Sequence, residues 1–213
     1  KKGETILISN GEDREYVCTI DELENEQVRA KIEDVNGVAK ELPIKVTLFQ
    51  ALPKGDKMET VIQKMIELGA YEIVPVFTKR CIVKLDNKKA VSKTKRWNSI
   101  AESAAKQSKR GIIPKVSMPV IYKEALKMAE TMDMVLIPYE NAENMAHTRQ
   151  VVSQIKTGMT VGIFIGPEGG FAEEEVEQAI NTGAYDITLG KRILRTETAG
   201  MALMSVLMFE TEE

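Results

Sequence analysis

Histidine and cysteine are scarce in these 213 residues, with one of the first and two of the second. The lone imidazole, His147, lies in a polar, helix-like stretch and reads as a surface residue. A G-x-S-x-G nucleophile elbow is missing, so hydrolase chemistry finds no support. Cys18 and Cys81 are far apart in strand-like runs, no Cys/His spacing suits zinc, and no cluster of carboxylates forms a cage, so no metal is expected. No segment approaches the run of about 20 apolar residues that spans a bilayer. The most apolar stretch, 199–209, is too short, so no membrane partner is expected. The opening Lys1-Lys2-Gly3-Glu4 lacks signal-peptide character, which implies reduced cysteines and a cytoplasmic location. A phosphate loop ending in G-K-[ST] is absent, which argues against a nucleotide-using kinase.

What is present is an ordinary globular composition, 43% hydrophobic and 29% charged. The net charge of −3 hides an asymmetry. Between Lys79 and Lys115 twelve basic residues face only Asp86 and Glu102, an excess of ten positive charges that leaves −13 on the rest. Such a stripe is either the footprint of a polyanion binder or a solvated lysine-rich surface, and nucleic acid is the reading favoured here.

The first forty or so residues alternate as β-structure, with Tyr16, Cys18 and Ile20 on one face of a strand and Val28, Ala30 and Ile32 on one face of another. Asn10-Gly11 and Asn36-Gly37 read as hairpin turns. From Lys45 strands and helices alternate. Strands are expected at 46–52, 72–77, 134–138, 160–165 and 187–189, and helices at 56–68, 91–109, 122–130, 141–156, 172–182 and 197–209. This is an α/β pattern, a largely parallel sheet with helices on both faces. In the helix at 91–109, Trp97, Ile100, Ala101, Ala104 and Ala105 should face inward, with Lys95, Lys106 and Arg110 on the opposite side. The helix at 197–209 is apolar nearly all round, so it needs a deep site or a subunit interface.

Ligands of parallel α/β sheets bind beyond the carboxyl ends of the strands. Three loops stand there: Pro138-Tyr139-Glu140-Asn141, Gly166-Pro167-Glu168-Gly169-Gly170-Phe171, and the long run from Leu189 to Ala199, in which Thr196 reads as an N-cap. Glu168, Glu173, Glu174 and Glu175 at one helix start suit the helix dipole but would repel phosphate. The second loop is therefore either a plain Gly-Pro turn or a site for a ligand with polar edges and no phosphate.

Phe164-Ile165-Gly166-Pro167-Glu168-Gly169-Gly170-Phe171, followed by Leu189-Gly190-Lys191-Arg192-Ile193-Leu194-Arg195-Thr196-Glu197-Thr198-Ala199, closely resembles the paired cofactor motifs of RsmE-type 16S rRNA (uracil-N3)-methyltransferases, of the SPOUT class of knotted methyltransferases. Lys64 with Glu67-Leu68-Gly69, Thr78-Lys79-Arg80, and the block from Arg96-Trp97 through Glu102, Ala104-Ala105, Gln107-Ser108 and Arg110 to Ile113-Pro114 resemble further segments of that family. The resemblance implies a SPOUT methyltransferase domain over 44–213 with a trefoil knot. It implies a partial PUA-like β-barrel over 1–43, whose first strands would precede Lys1. It also implies a homodimer packed through knot-region helices.

The same resemblance implies S-adenosyl-L-methionine held by Pro138, Tyr139, Glu140, Ile165, Gly166, Pro167, Glu168, Gly169, Leu189, Gly190, Ile193, Leu194, Arg195, Thr196 and Ala199. Lys79, Arg80, Arg96, Gln107 and Arg110 are expected to hold ribosomal RNA. Arg195 is the first candidate to stabilise charge developing on the uracil, or else pairs with Glu168 or Glu197, and Arg80 is the second. Glu102 could act as a base or pair with Lys106 at i,i+4. The rival readings are a non-catalytic RNA-binding or ribosome-assembly protein, and a SPOUT enzyme acting on tRNA or a ribose 2′-OH.

Overall fold

The computed structural model describes residues 1–11, 14–37, 40–142 and 144–212. The chain divides into two compact units, one made of Lys1–Glu41 with Ala105–Ile113, the other of Leu42–Ala104 with Pro114–Glu213.

The first unit is an antiparallel sheet of β1 (Thr5–Ser9), β2 (Arg14–Leu23) and β3 (Val28–Gly37) in that order. Gly11 takes φ +79° between β1 and β2, where Asn10-Gly11 was expected to turn the chain. The Asn36-Gly37 expectation is corrected. These residues end β3, paired with Glu15 and Arg14, because the β2 ladder runs that far. The chain turns instead at 24–27, where the Glu24 N–H donates to the Gln27 carbonyl at 2.8 Å. Cys18 and Ile20 are buried, whereas Val28 and Ile32 are exposed. The 105–113 segment joins this unit through the Ser9 hydroxyl, which donates to the Gly111 carbonyl, and a bridge between Gly11 and Ile112.

The second unit is a wholly parallel sheet. Its strands are β4 (Lys45–Ala51), β5 (Glu72–Phe77), β6 (Lys115–Val116), β7 (Val120–Ile121), β8 (Met134–Pro138), β9 (Thr160–Ile165) and β10 (Tyr185–Ile187). The order is β10-β8-β9-β4-β5-β6, with β7 also pairing β5. Its helices are α1 (Lys57–Glu67), α2 (Asn87–Gln107, which ends in the first unit), α3 (Tyr122–Ala129), α4 (Met145–Val152), α5 (Glu173–Asn181) and α6 (Thr196–Thr211). The two-residue β6 and β7 are too short to leave an alternating pattern.

Helix ends differ from expectation for local reasons. Asp86 starts α2 early, its carboxylate accepting the Lys89 N–H at 2.8 Å. Asn144 caps α4 by accepting from the N–H groups of Ala146 and His147, so the helix begins later than 141, and Glu143 lies outside the described residues. Thr196 is not the N-cap of α6. Arg195 holds that position, and Thr196 is the first helical residue.

Alternation along β4 sorts the core onto two faces. Phe49 turns toward α3 and α5 and clusters with Tyr122, Leu126, Val176 and Phe164. Leu48 turns to the other face, where Gly200 of α6 also approaches Met65 of α1 and Ile165 of β9. Phe49 and Phe164 are direct partners across β4 and β9, stacked with ring centroids 4.4 Å apart. The stack pins the register at the middle of the sheet. Phe164→Ala is expected to cost about 3–5 kcal/mol through lost burial and a cavity. Ile180→Ala, on the exposed side of α5, should change stability by no more than about 0.5 kcal/mol. Urea unfolding followed by circular dichroism checks both.

Candidate functional site

β10, β8 and β9 are neighbours, so their carboxyl ends deliver three loops side by side. The loops surround one cavity of about 1210 Å³. All fifteen positions expected to contact the cofactor line it: Pro138, Tyr139 and Glu140 after β8; Ile165, Gly166, Pro167, Glu168 and Gly169 at the end of β9; and Leu189, Gly190, Ile193, Leu194, Arg195, Thr196 and Ala199 after β10. The loops are cross-braced. The Tyr139 N–H donates to the Ile187 carbonyl at 2.9 Å. The Thr148 hydroxyl of α4 donates to the Thr188 carbonyl and accepts from its N–H, both at 3.0 Å. The Thr196 hydroxyl donates to the Gly166 carbonyl at 2.6 Å.

Glycine is required at two places for different reasons. A Cβ at Gly166 would stand 3.1 Å from the Phe171 nitrogen, so the loop there is folded too tightly for a side chain. Gly190 has φ +104° with open space where a Cβ would point.

Three of the carboxylates that crowd the site have fixed partners. Glu175 is buried and accepts the N–H groups of Ala172 at 2.9 Å and Lys79 at 2.8 Å. Glu174 pairs with Lys79 at 3.0 Å, and its carboxyl is lowered first by that hydrogen bond. Glu168 accepts from the Lys54 N–H and the Lys57 ammonium, both at 3.1 Å. Partial burial pushes the Glu168 carboxyl up, but the backbone N–H groups and Lys57 together outweigh it and hold it below its ordinary value. Lys57 also reaches Glu197 at 3.5 Å, and its ammonium is raised chiefly by the Glu168 hydrogen bond. The pairing expected as the alternative for Arg195 thus goes to Lys57, and Arg195 lines the cavity with its side chain exposed.

Arg80 also lines the cavity, its guanidinium donating to the Gly169 carbonyl at 2.8 Å. Lys79 is exposed beside it. Arg96 is exposed on α2 and bound to Glu59, 2.7 Å from its carboxylate, which raises the guanidinium. Gln107 is exposed in the first unit. Arg110 is the correction. It was expected on the outer face with Lys95 and Lys106, but its side chain is 4% exposed and paired with Glu41. Lys109 at φ +56° ends the helix, the Arg110 N–H bonds back to the Ala105 carbonyl, and the chain turns the guanidinium inward. A buried ion pair holds the fold and does not present itself to a phosphate. Glu102 is exposed on α2 and is not among the cavity residues.

Three contributors escaped the sequence reading. Lys57, next to the Lys54-Gly55-Asp56 turn, clasps two carboxylates from distant segments. The N-terminus of α4 adds Asn144, Met145 and Ala146 to the wall. Gln50, fully buried at the end of β4, donates to the Thr196 hydroxyl at 2.9 Å. A glutamine inside an apolar strand was its only signal. Among the described residues no group of histidine, cysteine and acidic side chains could hold a metal ion, and no helix is long and apolar enough to cross a membrane.

Known proteins share this arrangement. Residues 40–208 match the RNA methyltransferase domain family. The ribosomal RNA small subunit methyltransferase E of Bacillus subtilis (strain 168) is 36% identical over 214 residues, covering 99% of this chain and 84% of that protein. The protein of the same name from Mesomycoplasma hyopneumoniae (strain 232) is 40% identical over 161 residues, 76% of this chain and 68% of that one. The crystal structure of a ribosomal RNA small subunit methyltransferase E from Neisseria gonorrhoeae bound to S-adenosyl methionine superposes with a TM-score of 0.83 at 33% identity, covering 98% of this chain and 84% of that one. With the motif loops gathered at one cavity and likeness of this extent along the chain, the protein belongs to the RNA methyltransferase family, among its ribosomal RNA small subunit methyltransferase E members.

Proposed function

We propose that this chain methylates small-subunit ribosomal RNA with S-adenosylmethionine as methyl donor, and that the acceptor is N3 of a specific uracil. One observation carries the reading: loops from three adjacent strand ends close on a single cavity that also holds Arg80 and Arg195. The cavity suits the donor. Its walls offer backbone polar groups, carboxylates compatible with a cation, and open space beside Gly190. The predicted set from Pro138 to Ala199 would hold the cofactor, with Lys57 and the start of α4 added. Bound there, S-adenosylmethionine supplies a methyl group on a sulfonium, already activated for displacement.

The protein's task is then alignment, exclusion of water and management of the N3 proton. Arg195 is the first candidate to stabilise negative charge developing on the uracil, since its guanidinium borders the cavity and Lys57 has taken both nearby carboxylates. Arg80 serves second, and its bond to the Gly169 carbonyl also braces the cofactor loop. Lys79, Arg80, Arg96 and Gln107 receive the RNA backbone. The target uracil is splayed from its neighbours to reach the methyl group.

The architecture is assigned as a SPOUT domain over 44–213 and a partial PUA-like domain over 1–43. A trefoil knot accounts for the path of the chain. β10 pairs at the outer edge, yet the next helix, α6, packs at the sheet centre on α1 and β9, so 188–195 must cross back past the ends of β8 and β9. A homodimer through α6 accounts for its outer face. Gly200, Leu203, Met204 and Leu207 form a buried stripe, while Val206 and Phe209 are 43% and 83% exposed. The enzyme works in the cytoplasm, where ribosomal RNA is found.

Tritiated methyl transfer to small-subunit rRNA lacking modifications, followed by mapping of the base, should give one labelled uracil. Label in tRNA, on a ribose, or nowhere would contradict this reading. Arg195→Met should lower the methylation rate about 100-fold, the scale of losing one charge-stabilising donor, and by a larger factor than it weakens S-adenosylmethionine binding in calorimetry. Phe209→Glu should shift the protein from dimer to monomer in sedimentation equilibrium.

A further inference from the structure

Thr196 is 5% exposed, and its hydroxyl is spent away from its own helix. It accepts from the Gln50 amide at 2.9 Å and donates to the Gly166 carbonyl at 2.6 Å. The Gln50 amide also donates to the Ala51 carbonyl at 3.0 Å. That second bond fixes the amide's orientation, because the turned-over group would set its own oxygen against a carbonyl. The hydroxyl has one hydrogen, and with Gln50 donating to it, that hydrogen goes to Gly166. A one-way chain of donors therefore runs from the end of β4, through the start of α6, to the end of β9. Buried chains of this kind reinforce each link, and a broken link leaves polar groups unsatisfied.

Stability alone does not account for the glutamine. Gln50 is wholly buried, and no group among the described residues partners its side-chain oxygen. A buried acceptor left unsatisfied destabilises a fold, and a hydrocarbon side chain there would avoid that penalty. What the amide does is hold two cavity walls together. Gly166 and Thr196 line the cavity, and Gln50 stands behind them. Thr196 directly follows Arg195, and Gly166 lies so close to Phe171 that a side chain would not fit there.

We propose that Gln50 is a positioning residue that acts through Thr196 to fix the spacing between the 166–171 loop and the loop bearing Arg195, and thereby sets the cofactor affinity of the cavity. The proposal rests on the assignment of S-adenosylmethionine to that cavity.

Calorimetric titration of the full chain with S-adenosylhomocysteine, alongside thermal melts, tests it. Gln50→Leu and Thr196→Val should each weaken binding about tenfold, the scale of one hydrogen bond. Thr196→Ser, which keeps the hydroxyl, should bind within about twofold of wild type, and Gln50→Leu should melt no lower than Thr196→Val. The double variant should bind no more weakly than the worse single one, because both break the same chain. Wild-type affinity in a folded Gln50→Leu, or fully additive losses in the double variant, would overturn the proposal. Should Thr196→Val fail to fold, Gln50→Leu against Thr196→Ser decides it. Failure of the wild-type protein to bind would overturn the cofactor assignment and the proposal together, a result distinct from tight binding that every variant shares.

Discussion

The site depends on one topological constraint: the strand at the edge of the sheet is followed by a helix that belongs at its centre. β10 pairs outside β8, but α6 has its buried stripe against α1 and the middle strands. The connecting segment must therefore run over the ends of β8 and β9. In doing so it brings Leu189, Gly190 and Arg195 beside Gly166 and Tyr139. The cavity's described lining comes from segments of the second unit alone. The cavity needs its loops to be stiff, because a ligand held by backbone groups is only as well placed as the backbone.

Stiffness comes from polar bridges between segments distant in sequence. Thr148 holds Thr188, Thr196 holds Gly166, Glu175 holds Lys79, and Arg80 holds Gly169. The charges follow the same logic. Lys57 gathers Glu168 and Glu197, which leaves the Arg195 guanidinium for the cavity. Ion pairs near a surface add little to stability, but here they occupy both carboxylates and leave Arg195 on the cavity wall.

Much of this was legible in the sequence, for identifiable reasons. Fully buried parallel strands leave continuous apolar runs, so 72–77, 134–138 and 160–165 were read with their observed ends. The amphipathic helices were read to within a few residues, since caps such as Asp86 and Asn144 decide the ends and neither carries an apolar signal. Periodicity says nothing of a chain that returns to the sheet centre, and the expectation of a knot came from family resemblance. Two residues misled for a shared reason. Thr196 looks like a cap and Arg110 like an outer-face cation when only local spacing is considered. Each is instead claimed by a distant partner, Gly166 for one and Glu41 for the other. The roles of Lys57 and Gln50 were illegible on the same account, because they exist only once β4, β9 and α6 have met.

Amide hydrogen exchange with and without S-adenosylmethionine tests the central claim most directly, because it reads the loops themselves. Protection should rise in 166–171 and 188–196 together, with a smaller gain at 138–142, while β2 and β3 stay unchanged. Protection confined to one of the two main loops, or arising elsewhere in the chain, would contradict a cavity built jointly by them.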